Sequence, residues 1–121
     1  MPHVTLEYSK NLTNLDVKSM LLKLNQALLA TGEFREIDIK SRALPVEQVQ
    51  VGLSSDAHGF IHLEIRFYKG RSAELKRKIA QTCFQALRSN YKPLPKMTLQ
   101  MDVEPIEIDQ DVFVRETIDA V

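Results

Sequence analysis

His3-Val4-Thr5-Leu6-Glu7-Tyr8 and His62-Leu63-Glu64-Ile65-Arg66-Phe67 lie 59 residues apart and share one pattern, a polar residue followed by an apolar one. A period of two sends successive side chains to opposite faces, so each stretch predicts a strand with one buried face. At the same spacing Gln26-Ala27-Leu28 lies over Gln85-Ala86-Leu87. At a spacing of 60, Ile37, Ile39 and Ala43 lie over Met97, Leu99 and Val103. Strand, helix and strand therefore recur in order, which predicts an internal duplication of a β-α-β unit.

The elements between these anchors follow from local chemistry. Thr13 or Asn14 is placed to cap a first helix whose Leu21, Leu24 and Leu28 form one stripe, and Thr31-Gly32 supplies a left-handed stop. Residues 37 to 51 read as a long alternating strand interrupted at Pro45, where a missing N–H argues for a bulge or an edge. A polar loop over residues 52 to 59 divides the halves. Gly70-Arg71-Ser72 turns the chain into a second helix, with Ser72 at its cap and Leu75, Ile79, Cys83, Ala86 and Leu87 along its apolar side. Pro93 and Pro95 end that connection before a last strand from Met97 to Val103. The expected fold is α+β, β-α-β-β-α-β, a four-stranded sheet with both helices on one face. The chain is expected to be a single domain of residues 1 to 121. Its pseudo-repeats cover about 2 to 52 and 60 to 104, and a tail from Pro105 to Val121 should pack on its own subunit or a neighbour.

Composition excludes several classes. Sixteen basic residues balance sixteen acidic ones in 121, so no global field recruits nucleic acid or an anionic membrane, and any anion site must be local. A single cysteine, Cys83, rules out an internal disulfide framework and fits a reducing compartment. No run approaches the ~20 apolar residues of a membrane helix, and the expected location is the cytoplasm. Cys83 falls in the helical stripe and reads as core. No close His/Cys/Asp/Glu cluster is expected to accompany His3, His58 and His62, and His3 and His62 occupy matching repeat positions, which favours structural roles and no metal. Ser54, Ser55 and His58 share a loop without a nucleophile-elbow context.

Candidate chemistry lies where the halves differ. Pro2 lies over Ile61, Leu12 over Arg71, Lys40 over Gln100 and Arg42 over Asp102. With Met1 removed, Pro2 would expose a secondary amine, and burial would lower its pKa towards the range of a general base. Pro2 serves equally well as the start of a strand whose first N–H needs no partner. Arg71 in a glycine turn at a helix start makes a local carboxylate site, or a plain helix entry with a solvated arginine. Lys40 and Arg42 alternate along one strand face and so share a side. An amine base and three cations suit a dianionic substrate.

These residues carry a resemblance. Met1-Pro2-His3, Ala30-Thr31-Gly32 with Phe34, Ile39-Lys40-Ser41-Arg42 and Gly70-Arg71-Ser72 together resemble the tautomerase superfamily, in particular the 5-carboxymethyl-2-hydroxymuconate isomerase family. The stretch Gly70-Arg71-Ser72-Ala73-Glu74-Leu75-Lys76 is also similar to the strand-to-helix turn of the shorter 4-oxalocrotonate tautomerases. The resemblance implies a homotrimer with sites near subunit boundaries, and no cofactor. It implies that Pro2 shuttles a proton in a conjugated dicarboxylate such as 5-carboxymethyl-2-hydroxymuconate. It further implies that Arg71 binds a carboxylate or polarises the carbonyl, and that a basic residue of the second strand, Lys40 or Arg42, completes the site. The sequence departs from the family at Lys40, where arginine is expected; lysine keeps the charge and loses the bidentate fork. The alternative is a catalytically silent β-α-β-β-α-β binding or assembly module.

Overall fold

The structure, a computed structural model, describes residues 1–121. Four strands and two helices alternate as β1 (His3–Ser9), α1 (Val17–Ala30), β2 (Lys40–Val46), β3 (His58–Tyr68), α2 (Ala73–Asn90) and β4 (Thr98–Ile108). The sheet order is β2-β1-β3-β4, with β1 and β2 parallel, β1 and β3 antiparallel, and β3 and β4 parallel. This is the expected α+β architecture. Both helices pack side by side over one face.

Alternation decides which face is buried. Val4 and Leu6 of β1 meet Ile61, Leu63, Ile65 and Phe67 of β3, all at most 1% exposed. Met20, Leu24 and Leu28 come down from α1, and Ile79, Cys83 and Leu87 from α2. Each such aliphatic side chain contributes roughly 1.5–3 kcal/mol by leaving water. Cys83 is core as expected, and burial pushes its thiol up to about 12. Ser72 caps α2 by accepting from the Leu75 N–H at 3.1 Å. Gly32, at φ +77°, takes the left-handed step after Thr31 that a side chain would resist.

Four details differ from expectation. The cap of α1 is Asp16, which accepts from the Ser19 N–H at 3.2 Å. Asn14 is drawn away instead, its amide donating to the Lys92 carbonyl and its oxygen accepting from the Tyr91 hydroxyl. The second strand starts at Lys40, because Glu36–Asp38 winds into a short 3-10 turn, and it stops at Val46. Pro45 lies within it, on an edge strand where a missing N–H costs no ladder bond. β3 begins at His58, inside the presumed loop, and β4 runs on to Ile108, so the tail starts at residue 109.

Register corrects the repeat. His3 stands opposite Lys40, and its counterpart His62 stands opposite Asp102. Thr5 likewise faces Arg42, and Glu64 faces Glu104. Lys40 thus corresponds to Asp102, not Gln100, and Arg42 to Glu104, not Asp102. The slip of two residues keeps the same faces in and out, so the apolar pattern alone could not detect it.

Candidate active site

Parallel β1 and β2 both start at one end of the sheet, and antiparallel β3 finishes there. That topology gathers the chain head, the entry to β2 and the Gly70–Ser72 turn from three distant parts of the sequence. Pro2 is buried, and its carbonyl accepts from the Lys40 N–H at 3.1 Å. Met1 is 8% exposed. Its amine is held below the ordinary value, first by burial and then by the charges of Lys40, Arg115 and Arg35, while Asp38 pulls the other way.

Asp38 organises this corner. Arg35 Nε lies 3.9 Å and Arg115 Nη2 lies 3.5 Å from its carboxylate, and Lys40 Nζ donates to its backbone carbonyl at 3.0 Å. Burial raises the Asp38 pKa, but the amine, Arg35, Arg115 and Lys40 together outweigh it and hold the carboxyl below its usual range. The four side chains line a cleft of about 650 Å³ together with Thr117 and Asp119 of the tail.

The other predicted residues are placed differently. Arg42 donates from Nη2 to His3 Nδ1 at 2.7 Å, outside the cleft lining. Burial, then Arg42, Lys40 and the chain head, lower the His3 pKa, which keeps the ring neutral and able to accept. Arg71 is at the same end of the sheet but its donors are engaged. Nε meets Glu33 Oε1 at 3.1 Å, Nη1 the Tyr68 carbonyl at 3.2 Å and Nη2 the Glu33 carbonyl at 3.3 Å. Its guanidinium also lies 4.9 Å from the Phe34 ring centre and 5.1 Å from that of Phe67. Arg71 therefore clasps the segment after α1 onto the end of β3. Of the four predicted residues the structure brings Pro2 and Lys40 into direct contact.

Sequence reasoning missed Arg35, Asp38 and Arg115. Asp38, Lys40 and Arg42 fall at alternate positions, which was a signal that an acid shares the basic stripe. Nothing in the tail marked Arg115. The expectation that no cluster accompanies the histidines also fails, because the donor atoms of His62, Glu64 and Glu104 lie within 4.8 Å of one another on the open sheet face. His62 Nδ1 bonds Asp102, and Nε2 lies 3.4 Å from Glu104 and 3.7 Å from Glu64. Burial lowers the His62 pKa, but the bond to Asp102 and the three negative charges overcome it and raise the value.

The family model described as 5-carboxymethyl-2-hydroxymuconate isomerase matches residues 2–118. The 5-carboxymethyl-2-hydroxymuconate Delta-isomerase of Escherichia coli is 26% identical over 110 residues, covering 88% of this chain and 87% of its own. A crystal structure of a 5-carboxymethyl-2-hydroxymuconate isomerase from Deinococcus radiodurans R1 is 28% identical with a TM-score of 0.89, over 97% of this chain and 90% of that one. A fused 4-OT, a symmetric trimer, shares the fold with a TM-score of 0.69 at 14% identity, over 90% of this chain and 87% of its own. No helix is long and apolar enough to cross a membrane.

Proposed function

This chain belongs to the 5-carboxymethyl-2-hydroxymuconate isomerase family, and from that premise we propose that it is a cofactor-independent keto–enol isomerase of unsaturated dicarboxylates, with Pro2 as proton shuttle. Once Met1 is removed, the neutral Pro2 nitrogen takes the proton of the substrate enol oxygen as the carbonyl forms. The same nitrogen returns that proton to a carbon of the conjugated chain, so the proton and the electron pair both stay within substrate and enzyme. A dienolate forms between the two steps, and fixed cations stabilise it.

The observation that carries the reading is that Pro2 is buried directly against Lys40, since burial and a neighbouring cation both disfavour a protonated amine. Lys40, lining the cleft and hydrogen-bonded to Pro2 through its backbone, is the strand cation that faces the substrate. Arg42 is taken up by His3 outside the cleft lining, which leaves that role to Lys40. Arg71 takes a substrate carboxylate only by exchanging Glu33 for it, so its first duty is to hold the end of the sheet. The fused 4-OT relative is a trimer, and the polar sheet face here, with edge strands β2 and β4, suits the same assembly.

The silent binding or assembly module draws support from the satisfied Arg71 donors. Ketonisation of 2-hydroxymuconate separates the readings, assayed on protein beginning at Pro2 beside Met1-retaining protein, Pro2→Ala and Arg71→Ala. The trimmed protein should be active, and retention of Met1 should cost about 10²- to 10⁴-fold, the usual worth of general acid–base transfer. The isomerase reading is abandoned if the trimmed protein has no activity.

A further inference from the structure

The segment after β4 doubles back across the sheet end that holds Pro2. Val112 N–H donates to the Asp109 carbonyl at 3.3 Å, and Phe113 sets its ring edge-on to Tyr68, with centres 6.0 Å apart and planes at 78°. Two residues further, Arg115 reaches Asp38. The tail thus carries a guanidinium from the β4 edge past the end of β3 to the entry of β2 on the opposite edge.

Arg115 is the partly buried arginine there whose contacts are all long. Its contacts, to Asp38 at 3.5 Å and to Thr117 Oγ1 at 3.4 Å, are long and both use Nη2, which leaves Nε and Nη1 without a partner. Arg42 is spent on His3 and Arg71 on Glu33. Arg35 is 80% exposed, with a single contact at 3.9 Å. Lys40 is a point charge already bonded to the Asp38 carbonyl. An ion pair as long as the Arg115–Asp38 pair, at 3.5 Å through one nitrogen, falls well short of the roughly 2.7–2.9 Å of a strong charge-assisted bond, so a ligand displaces it at small cost. Three cations face two carboxylates around the cleft, leaving one positive charge in excess.

We propose that Arg115 is a specificity-determining residue that receives the second carboxylate of a dicarboxylate ligand on its Nη1–Nη2 edge in place of Asp38, while the Phe113–Tyr68 contact positions it. The geometry of that edge matches a carboxylate in bidentate fashion, which a lysine cannot reproduce. The ligand class rests on the isomerase reading, and the test is chosen so that the two can fail separately.

Calorimetry compares binding of trans,trans-muconate, a conjugated dicarboxylate, with that of sorbate, its monocarboxylate counterpart, to wild-type protein beginning at Pro2. Neither has an enol hydroxyl, so neither depends on turnover. Wild type should prefer muconate by about 10-fold or more, and Arg115→Ala should weaken muconate about 10- to 100-fold while sorbate changes less than about 2-fold. Arg115→Lys should recover only part of the loss, and Phe113→Ala should reproduce it with an intact Arg115. Arg35→Ala should keep the preference. A wild type that does not discriminate, or an Arg115→Ala protein that keeps the wild-type preference, overturns the proposal. Turnover of 2-hydroxymuconate is run beside it. Turnover without an Arg115 effect refutes this inference alone, and an Arg115 effect without turnover refutes the isomerase reading alone.

Discussion

His3 and His62 hold the same place in the two β-α-β units, and their surroundings carry opposite charge. His3 sits on β1 beside Lys40 and Arg42 of β2, whereas His62 sits on β3 beside Asp102 and Glu104 of β4. The first ring is driven below the ordinary histidine value and the second above it. A chain of zero net charge therefore holds two opposed local fields, one cationic beside the chain head and one anionic on the open sheet. The scaffold is shared between the units; the charge on the second parallel strand is what distinguishes the unit that has a candidate site from the one that does not.

The turns after β1 and β3 differ as sharply, and they give the largest expected effects. Leu12 closes the first turn as an apolar plug, 2% exposed and resting so closely over Gly59 that a Cβ there would lie 2.6 Å from Leu12 Cδ2. Leu12→Ala should cost about 2–5 kcal/mol in denaturant unfolding, as for other leucines removed from a close-packed core. Arg71 closes the second turn as a cationic clasp. Arg71→Ala should cost about 1–3 kcal/mol, because Glu33 loses a charge-assisted partner while Phe34 and Phe67 remain packed. If Arg71→Ala unfolds at the wild-type denaturant midpoint, the clasp is not structural and the guanidinium is free for substrate.

The strands, both helices and the layer order were legible because period-two and helical apolar patterns report burial directly. Pro2, Lys40, Arg42 and Arg71 were legible as positions where the two halves part. Their partners were not, since Glu33 meets Arg71 only through the packing of the segment after α1 on β3, and Arg115 meets Asp38 only because the tail crosses the sheet end. The Lys40–Asp102 equivalence was hidden for a different reason: a two-residue slip leaves the inward and outward faces unchanged, so hydrophobicity carries no information about it. The cap at Asp16 was missed because Asn14 is an equally good capper by type, and only tertiary bonds to Lys92 and Tyr91 remove it from the competition.

Charge neutralisation next to the two histidines tests the central contrast more gently. His62 binds its proton more tightly folded than unfolded, so it stabilises the fold fully below about pH 6.5, and that contribution is lost as pH rises through its raised value. His3 behaves oppositely: its folded value is depressed, so it favours the fold above about pH 6.5 and destabilises it as pH falls through the depressed value. Titration of the two imidazoles by NMR should place His62 above and His3 below the ordinary value. Asp102→Asn should move His62 down and leave His3 unmoved, and Arg42→Gln should move His3 up and leave His62 unmoved. A common value for both rings would mean that neither local field reaches its histidine.

The smallest effect is expected where the two units agree. Lys10 at the end of β1 pairs with Glu47 at 2.8 Å, and its counterpart Lys69 at the end of β3 pairs with Asp109 at 3.4 Å. Beneath both pairs the same backbone bond closes the parallel ladder, from the Lys10 N–H to the Val46 carbonyl at 2.9 Å and from the Lys69 N–H to the Ile108 carbonyl at 3.1 Å. These side chains are well exposed, and solvent and salt screen them. Lys10→Ala and Lys69→Ala should each cost no more than about 0.5 kcal/mol and should add in the double variant, because they lie at opposite ends of antiparallel β1 and β3. The comparison is informative through the shorter pair: if Lys10→Ala cost well over 1 kcal/mol while Lys69→Ala cost nothing, the end of the first unit would rest on its side-chain ion pair, and the backbone closure common to both units would not be what fixes where the strands stop.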